Sequence, residues 1–352
     1  GEKIGQLRTY TSPTNTNTLI TTSIEVTKAY QNKGLAKQAY IELAKANSNK
    51  VIQSSGQLTE DSKNVWEALV KDKVAKKLAE NSYYFYGKEE YFSKENGGDI
   101  ANSSFIIIEK SVILIDTGSS QQYGKQVKEE IRKITNKPIK YILNTHHHPD
   151  HFLGNSAFSS GDIYASEFTK NEIETNGDLY IVNLVNIIHE AMDKTKIKAP
   201  NQILTDKSLD FDGYKLKIFY LDGHTSSDIV IYDENTKILY TSDLVFYKRT
   251  PSTPHANMDN WIKSLKELEK IDYSILVPGH GISSTTKEPI KENIAYLEYL
   301  DNTLKKAAKE GLDIFEILSK PIPKEFKSFT MFEEEFERSV INLYPSYEKD
   351  LK

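Results

Sequence analysis

Cysteine is absent from all 352 residues. Disulfides, thiolate metal ligands and a cysteine nucleophile are therefore excluded together. Long apolar runs are absent too, since no segment approaches the roughly 20 residues that a bilayer span requires. Neither sign of charge dominates. Lys and Arg number 45 against 50 for Asp and Glu, a net charge of −5, which gives no reason to expect nucleic acid as a partner. What remains is 38% hydrophobic and 27% charged, the composition of a globular chain long enough for one large α/β domain and a smaller appendage.

The pattern changes along the chain. Residues 1–22 are rich in Thr, Asn and Ser and read as a loosely ordered arm. Residues 23–47 carry Ala29, Leu35, Ala36, Ala39, Leu43 and Ala44 at near-helical spacing, and 61–80 carry Val65, Leu69, Val74 and Leu78 on one stripe. The expected organisation is an N-terminal arm and helical extension over 1–80, a catalytic domain over 81–310 and a C-terminal helical tail over 311–352. From residue 82 strands predominate: "SYYFYGKEEYF", two buried strands in "SFIIIEKSVILIDTG", then "YILNTH", "IYAS", "KLKIFYL", "DIVIYD", "ILYTSDLVF" and "YSILVPGHG". Helices are expected at 121–136, over "DNWIKSLKELEK", at 287–310 and at 331–343. Strands alternating with helices, with polar turns at the strand ends, place chemistry at the carboxyl edge of a sheet.

Only eight histidines are present, and four lie in "NTHHHPDH" at 144–151. Alternation lets His146 and His148 face one point while His147 turns away. Pro149 fixes the turn, and Asp150 and His151 address a second location. Imidazoles and a carboxylate at this density suit zinc, iron or manganese. Three more candidates follow apolar strands: His224 in "DGHTSSD", Asp243 in "YTSDLVF" and His280 in "VPGHG". Each is able to reach the same sheet edge.

At these residues the chain resembles the metallo-β-lactamase-fold hydrolase superfamily, over about 82–310. The HxHxDH motif is His146, His148, Asp150 and His151. The resemblance implies an αββα sandwich and two divalent metal ions, zinc by default with iron or manganese as options. It assigns His146, His148 and His224 to the first ion and Asp150, His151 and His280 to the second, with Asp243 bridging. Asp116 in "LIDTG" would sit buried behind the site. The implied mechanism is attack by a metal-bridged hydroxide, which Asp150 would orient, on a carboxylic ester-like bond: a thioester, a lactone or, weakly, a β-lactam. The bridging Asp243 is glyoxalase II-like, where β-lactamases of this fold carry Cys or Ser. The alternative is a mononuclear iron, persulfide dioxygenase-like site on His146, His224 and Asp243. "GGDIANSSFIIIEKSVILIDTG" is similar to the exported zinc metallohydrolases associated with quinoprotein or sulfur-oxidation systems. With Gly rather than Met at position 1, a periplasmic or otherwise exported location is expected, the cytoplasm being the alternative.

The partner implied is a small-molecule substrate, with a protein partner or dimer through the N-terminal helices as a further possibility. Other singled-out residues have plainer readings. His147 and His189 read as packing residues. His255, in the loop after Asp243, is weighed between pocket lining and surface. Lys248 and Arg249 read as solvated, with an anion-binding role as the alternative. Tyr83, Tyr84, Phe85, Tyr86, Tyr91 and Phe92 read as sheet packing or a groove wall. Phe326, Phe329, Phe332 and Phe336 read as anchors for the C-terminal helix or a dimer surface.

Overall fold

The structure is a computed structural model that describes residues 5–11, 18–26, 51–54 and 74–349. The chain forms two compact units, Gly1–Lys73 and Val74–Lys352. In the first, β1 (Gly5–Thr11) pairs antiparallel with β2 (Thr18–Val26), and β2 pairs parallel with β3 (Val51–Ser54). The arm read as loosely ordered therefore carries strands, and residues 23–26 of the expected first helix belong to β2. Thr18, Ile20, Thr21, Thr22, Ile24 and Val26 explain this, because β-branched side chains favour the extended backbone. The remaining helical expectations over 27–47 and 61–73, and with them the N-terminal partner surface, lie outside the described residues.

The second unit begins with another correction. Where a helix was expected to run on to residue 80, β4 (Ala75–Lys77) pairs antiparallel with β5 (Ser82–Phe85). One sheet continues through β6 (Ser103–Ile107), β7 (Val112–Ile115), β8 (Ile139–Leu143), β9 (Asp162–Ala165) and β10 (Gln202–Ile203) in the order β10-β9-β8-β7-β6-β5-β4. A second sheet runs β11 (Ser208–Phe211), β12 (Tyr214–Leu221), β13 (Asp228–Asp233), β14 (Ile238–Phe246) and β15 (Ile275–His280), in chain order. The helices are α1 (Gln121–Ile134), α2 (Pro149–Phe152), α3 (Glu167–Ile188), α4 (Met258–Leu268), α5 (Glu288–Glu310), α6 (Ile314–Leu318), α7 (Lys324–Lys327) and α8 (Phe332–Lys349). None among the described residues is long and apolar enough to cross a membrane.

Strand alternation explains the layering. On β7, Val112 and Leu114 pack with Tyr123, Val127 and Ile131 of α1, while Ile113 and Ile115 face the other way. There they meet Leu216, Ile218, Ile229 and Ile231 of the second sheet. Val230 and Leu239, on that sheet's outer side, pack with Trp261, Leu265, Leu297 and Leu300. The result is an αββα sandwich. Phe326, Phe329, Phe332 and Phe336 are buried in this outer layer, so the C-terminal helices belong to the core packing. Tyr83 stacks on Phe105 at 4.9 Å, as sheet packing requires, but the strand stops at Phe85, short of Tyr91 and Phe92.

Candidate metal centre

Three strand ends and an irregular stretch of β14 meet at one edge of the sandwich. Asp116 follows β7, and the 144–151 segment follows β8 with α2 inside it. Asp243 lies within β14, and His280 ends β15. The histidine run is not itself strand, since β8 ends at Leu143. Two asparagines brace it: Asn155 Nδ2 donates to Asn144 Oδ1 at 2.7 Å, and Asn144 Nδ2 donates back to Asn155 Oδ1 at 3.1 Å. The pairing of β14 with β15 shifts register around Ser242, which has φ 46°. That irregularity turns Asp243 into the site. Gly279 makes room for it, because a Cβ there would lie 1.9 Å from Asp243 Oδ1 and 2.6 Å from the Ser242 carbonyl carbon.

All seven residues predicted as ligands come together here. One group is His146, His148, His224 and Asp243, and a second is Asp150, His151 and His280; in each, one donor atom per residue lies within 4.8 Å of the others. Asp243 stands between the groups. Its Oδ1 is 3.1 Å from His151 Nε2, and its Oδ2 is 3.3 Å from His280 Nε2, 3.4 Å from His224 Nε2 and 3.9 Å from His146 Nε2. Asp150 Oδ2 lies 3.4 Å from His280 Nε2 and 3.7 Å from His151 Nε2.

The opposite faces of the rings are fixed by hydrogen bonds. His151 Nδ1 pairs with Asp116 Oδ2 at 2.8 Å, His280 Nδ1 with the Ile100 carbonyl at 2.8 Å, and His146 Nδ1 with Thr145 Oγ1 at 3.1 Å. Asp116 also accepts from the Thr145 backbone N–H and hydroxyl, at 2.9 and 2.8 Å. It is buried behind the site, as expected. The turn bearing His280 is held by Asn102, whose Nδ2 donates to the Pro278 and Gly281 carbonyls, both at 2.8 Å. Sequence reasoning missed Asn102 and Ile100. They lie just before β6, in a stretch read only for its similarity to the exported metallohydrolases and not for support of the site.

The inward atoms behave differently. His146 Nε2, His151 Nε2 and Asp243 Oδ1 are buried without a hydrogen-bond partner, although His151 and Asp243 approach closely. Buried polar atoms left without a partner and aimed at a common point are costly unless a cation takes them up. The donor set therefore fits divalent metal ions. Electrostatics split the rings. Burial, then the charge on His151, holds His146 well below the usual imidazole range; burial also lowers His148 and brings His224 to about 4. Burial would also lower His151, but the Asp243, Asp150 and Asp116 carboxylates outweigh it and raise that ring well above the usual imidazole range. Burial opposes charge on Asp243 as well, yet His280 and His151 keep it ionised.

The other singled-out positions divide: His147 and His255 form with His148 a third group whose donor atoms lie within 4.8 Å of one another, while His189, Arg249 and Lys248 take no part in the donor groups. His147 is buried at the rim, its ring edge-on to Phe168, and burial brings it to about 4. His189 is exposed at the C-terminus of α3 with φ 46°, a chain-reversal position and not a packed one. His255 is exposed and touches His148. Arg249 is not solvated: it is 3% exposed and lies 3.5 Å from the buried Glu335 of α8. Phe246 and the C-terminal helix enclose it, a partner the local sequence does not reveal. Lys248 is exposed and pairs with Glu288 and Glu292.

Residues 96–280 match the family model described as Metallo-beta-lactamase superfamily. A linear primary-alkylsulfatase of Pseudomonas sp. is 25% identical over 287 residues, 68% of this chain. The chain spans only 54% of that relative's length. A hydroxyacylglutathione hydrolase of Pelagibacter ubique is 27% identical over 149 residues, covering 41% of this chain and 52% of the relative. Among solved structures, a metallo-beta-lactamase from Pontibacter korlensis superposes with a TM-score of 0.53 at 19% identity, over 64% of this chain and 99% of that one.

Proposed function

The chain belongs to the metallo-β-lactamase superfamily, and on that premise we propose that it is a hydrolase that uses two divalent cations, zinc by default, to cleave a carboxylic ester-like bond. One observation carries the reading. Two donor groups adjoin at Asp243, and three atoms between them, His146 Nε2, His151 Nε2 and Asp243 Oδ1, are buried without a hydrogen-bond partner.

His146, His148 and His224 would hold the first cation and Asp150, His151 and His280 the second, with Asp243 between them. Bound there, the cations supply Lewis acidity and lower the pKa of a water towards roughly 7. The chain's own groups do the rest. Asp116 and the Ile100 carbonyl fix His151 and His280 so that Nε2 of each faces inward. Asp150, at 10% side-chain exposure the more open of the two carboxylates, is placed to hold the attacking water by a hydrogen bond. The complete second group argues against the one-iron alternative, which His146, His224 and Asp243 could serve alone.

Protein purified without added metal should carry about two zinc ions per chain; a single iron would overturn the reading. The loaded enzyme should turn over a thioester or a lactone and act feebly on β-lactams. Sulfate monoesters belong in the same panel because of the alkylsulfatase similarity, and persulfides test the oxygenase alternative. His148→Ala should lose metal and turnover, whereas His189→Ala should retain both. Equal loss in the two variants would contradict the assignment.

A further inference from the structure

The rings assigned to the metal groups differ in what supports them. An imidazole that gives one nitrogen's lone pair to a cation carries its proton on the other nitrogen, and that proton needs an acceptor. Asp116, the Ile100 carbonyl and Thr145 stand opposite three of the rings. For His148 the inward atom is Nδ1, 2.8 Å from His224 Nε2. Its outward Nε2 lies 2.8 Å from His255 Nδ1.

We infer that His255 is a positioning residue, accepting a hydrogen bond from His148 Nε2 and so presenting His148 Nδ1 as a ligand of the first cation. The inference rests on the metal reading above and assigns a support that lies outside the HxHxDH motif. The loop that delivers His255 is tied at several points. Thr250 N–H donates to the Thr330 carbonyl at 3.0 Å, and Thr253 Oγ1 donates to Ser339 Oγ of α8 at 2.7 Å. Beyond His255, Asn257 N–H donates to the Gly223 carbonyl at 2.8 Å, next to His224, and the Asn257 side chain caps α4. An exposed histidine on an untethered loop would spend its time in solvent; this one is held against a ligand.

The test is zinc affinity, measured by competition with a chromogenic chelator on the full chain, alongside the melting temperature of metal-stripped protein. His255→Ala should weaken one of the two zinc equivalents by about 10–100-fold and leave the stripped protein's melting temperature unchanged. His255→Gln, whose amide oxygen also accepts, should recover most of that affinity. Unchanged affinity in His255→Ala would overturn the inference while leaving the dinuclear reading intact. A third zinc equivalent in the parent that vanishes in His255→Ala, the other two unaffected, would also overturn it, making His255 a ligand. A parent that takes up no zinc would remove the reading on which the inference stands.

Discussion

At the scale of single residues, the site depends as much on a missing side chain as on those present. Gly279 sits where any Cβ would strike the Asp243 carboxylate and the backbone beside it, at 1.9–2.7 Å. Gly279→Ala should displace the carboxylate that stands between the two donor groups. The expected outcome is loss of bound metal and a fall in turnover of at least about 100-fold, since small misplacements of reacting groups carry that penalty. Zinc content after desalting checks it. The seven candidate ligands were legible in the sequence because a dense run of histidines and three polar residues at strand ends form the donor pattern of a metal centre. Asn102 and the Ile100 carbonyl were not legible, because a backbone oxygen has no signature and an isolated asparagine resembles any loop residue. Arg249 was misread for a related reason. Its position after a strand suggests solvent, and only the return of α8 covers it.

Among the elements, the C-terminal helix has a larger part than its place after the catalytic core implies. Glu335 of α8 is 1% exposed and faces Arg249, and burial pushes its carboxyl up despite that neighbour. Removing it should leave Arg249 buried without a counter-charge. Glu335→Ala is expected to lose about 3–5 kcal/mol of stability, with the double replacement Arg249→Met, Glu335→Leu recovering most of it. Urea denaturation of the three proteins decides the matter, and a single variant as stable as the parent would show the pair to be idle. The strands of the catalytic unit were readable from their apolar runs, and α1, α4 and α5 from their periodicity. The N-terminal residues 18–26 were not. Residues up to 22 were read as a loose arm for their Thr and Ser and 23–26 as the start of a helix, whereas the β-branched residues among them gave the stronger signal.

For the molecule as a whole, the candidate ligands are drawn from both sheets: His146, His148, Asp150 and His151 follow β8 of one, while His224, Asp243 and His280 come from the other. A cation binding only the folded arrangement stabilises it by mass action, roughly 2.7 kcal/mol for a single site at a free concentration of 100 times Kd. Chelator-treated protein should therefore melt well below the zinc-loaded form, and the gap should widen as free zinc is raised. A melting temperature indifferent to zinc would mean that the inter-sheet donors are not holding an ion. The same arrangement has a mechanical corollary. In a chain that has no thiols, an ion shared by the two halves of the sandwich would act as a removable rivet. It would tie together segments 73 to 134 residues apart in sequence (224 − 151 and 280 − 146) and be released by a change in metal supply instead of a change in redox state.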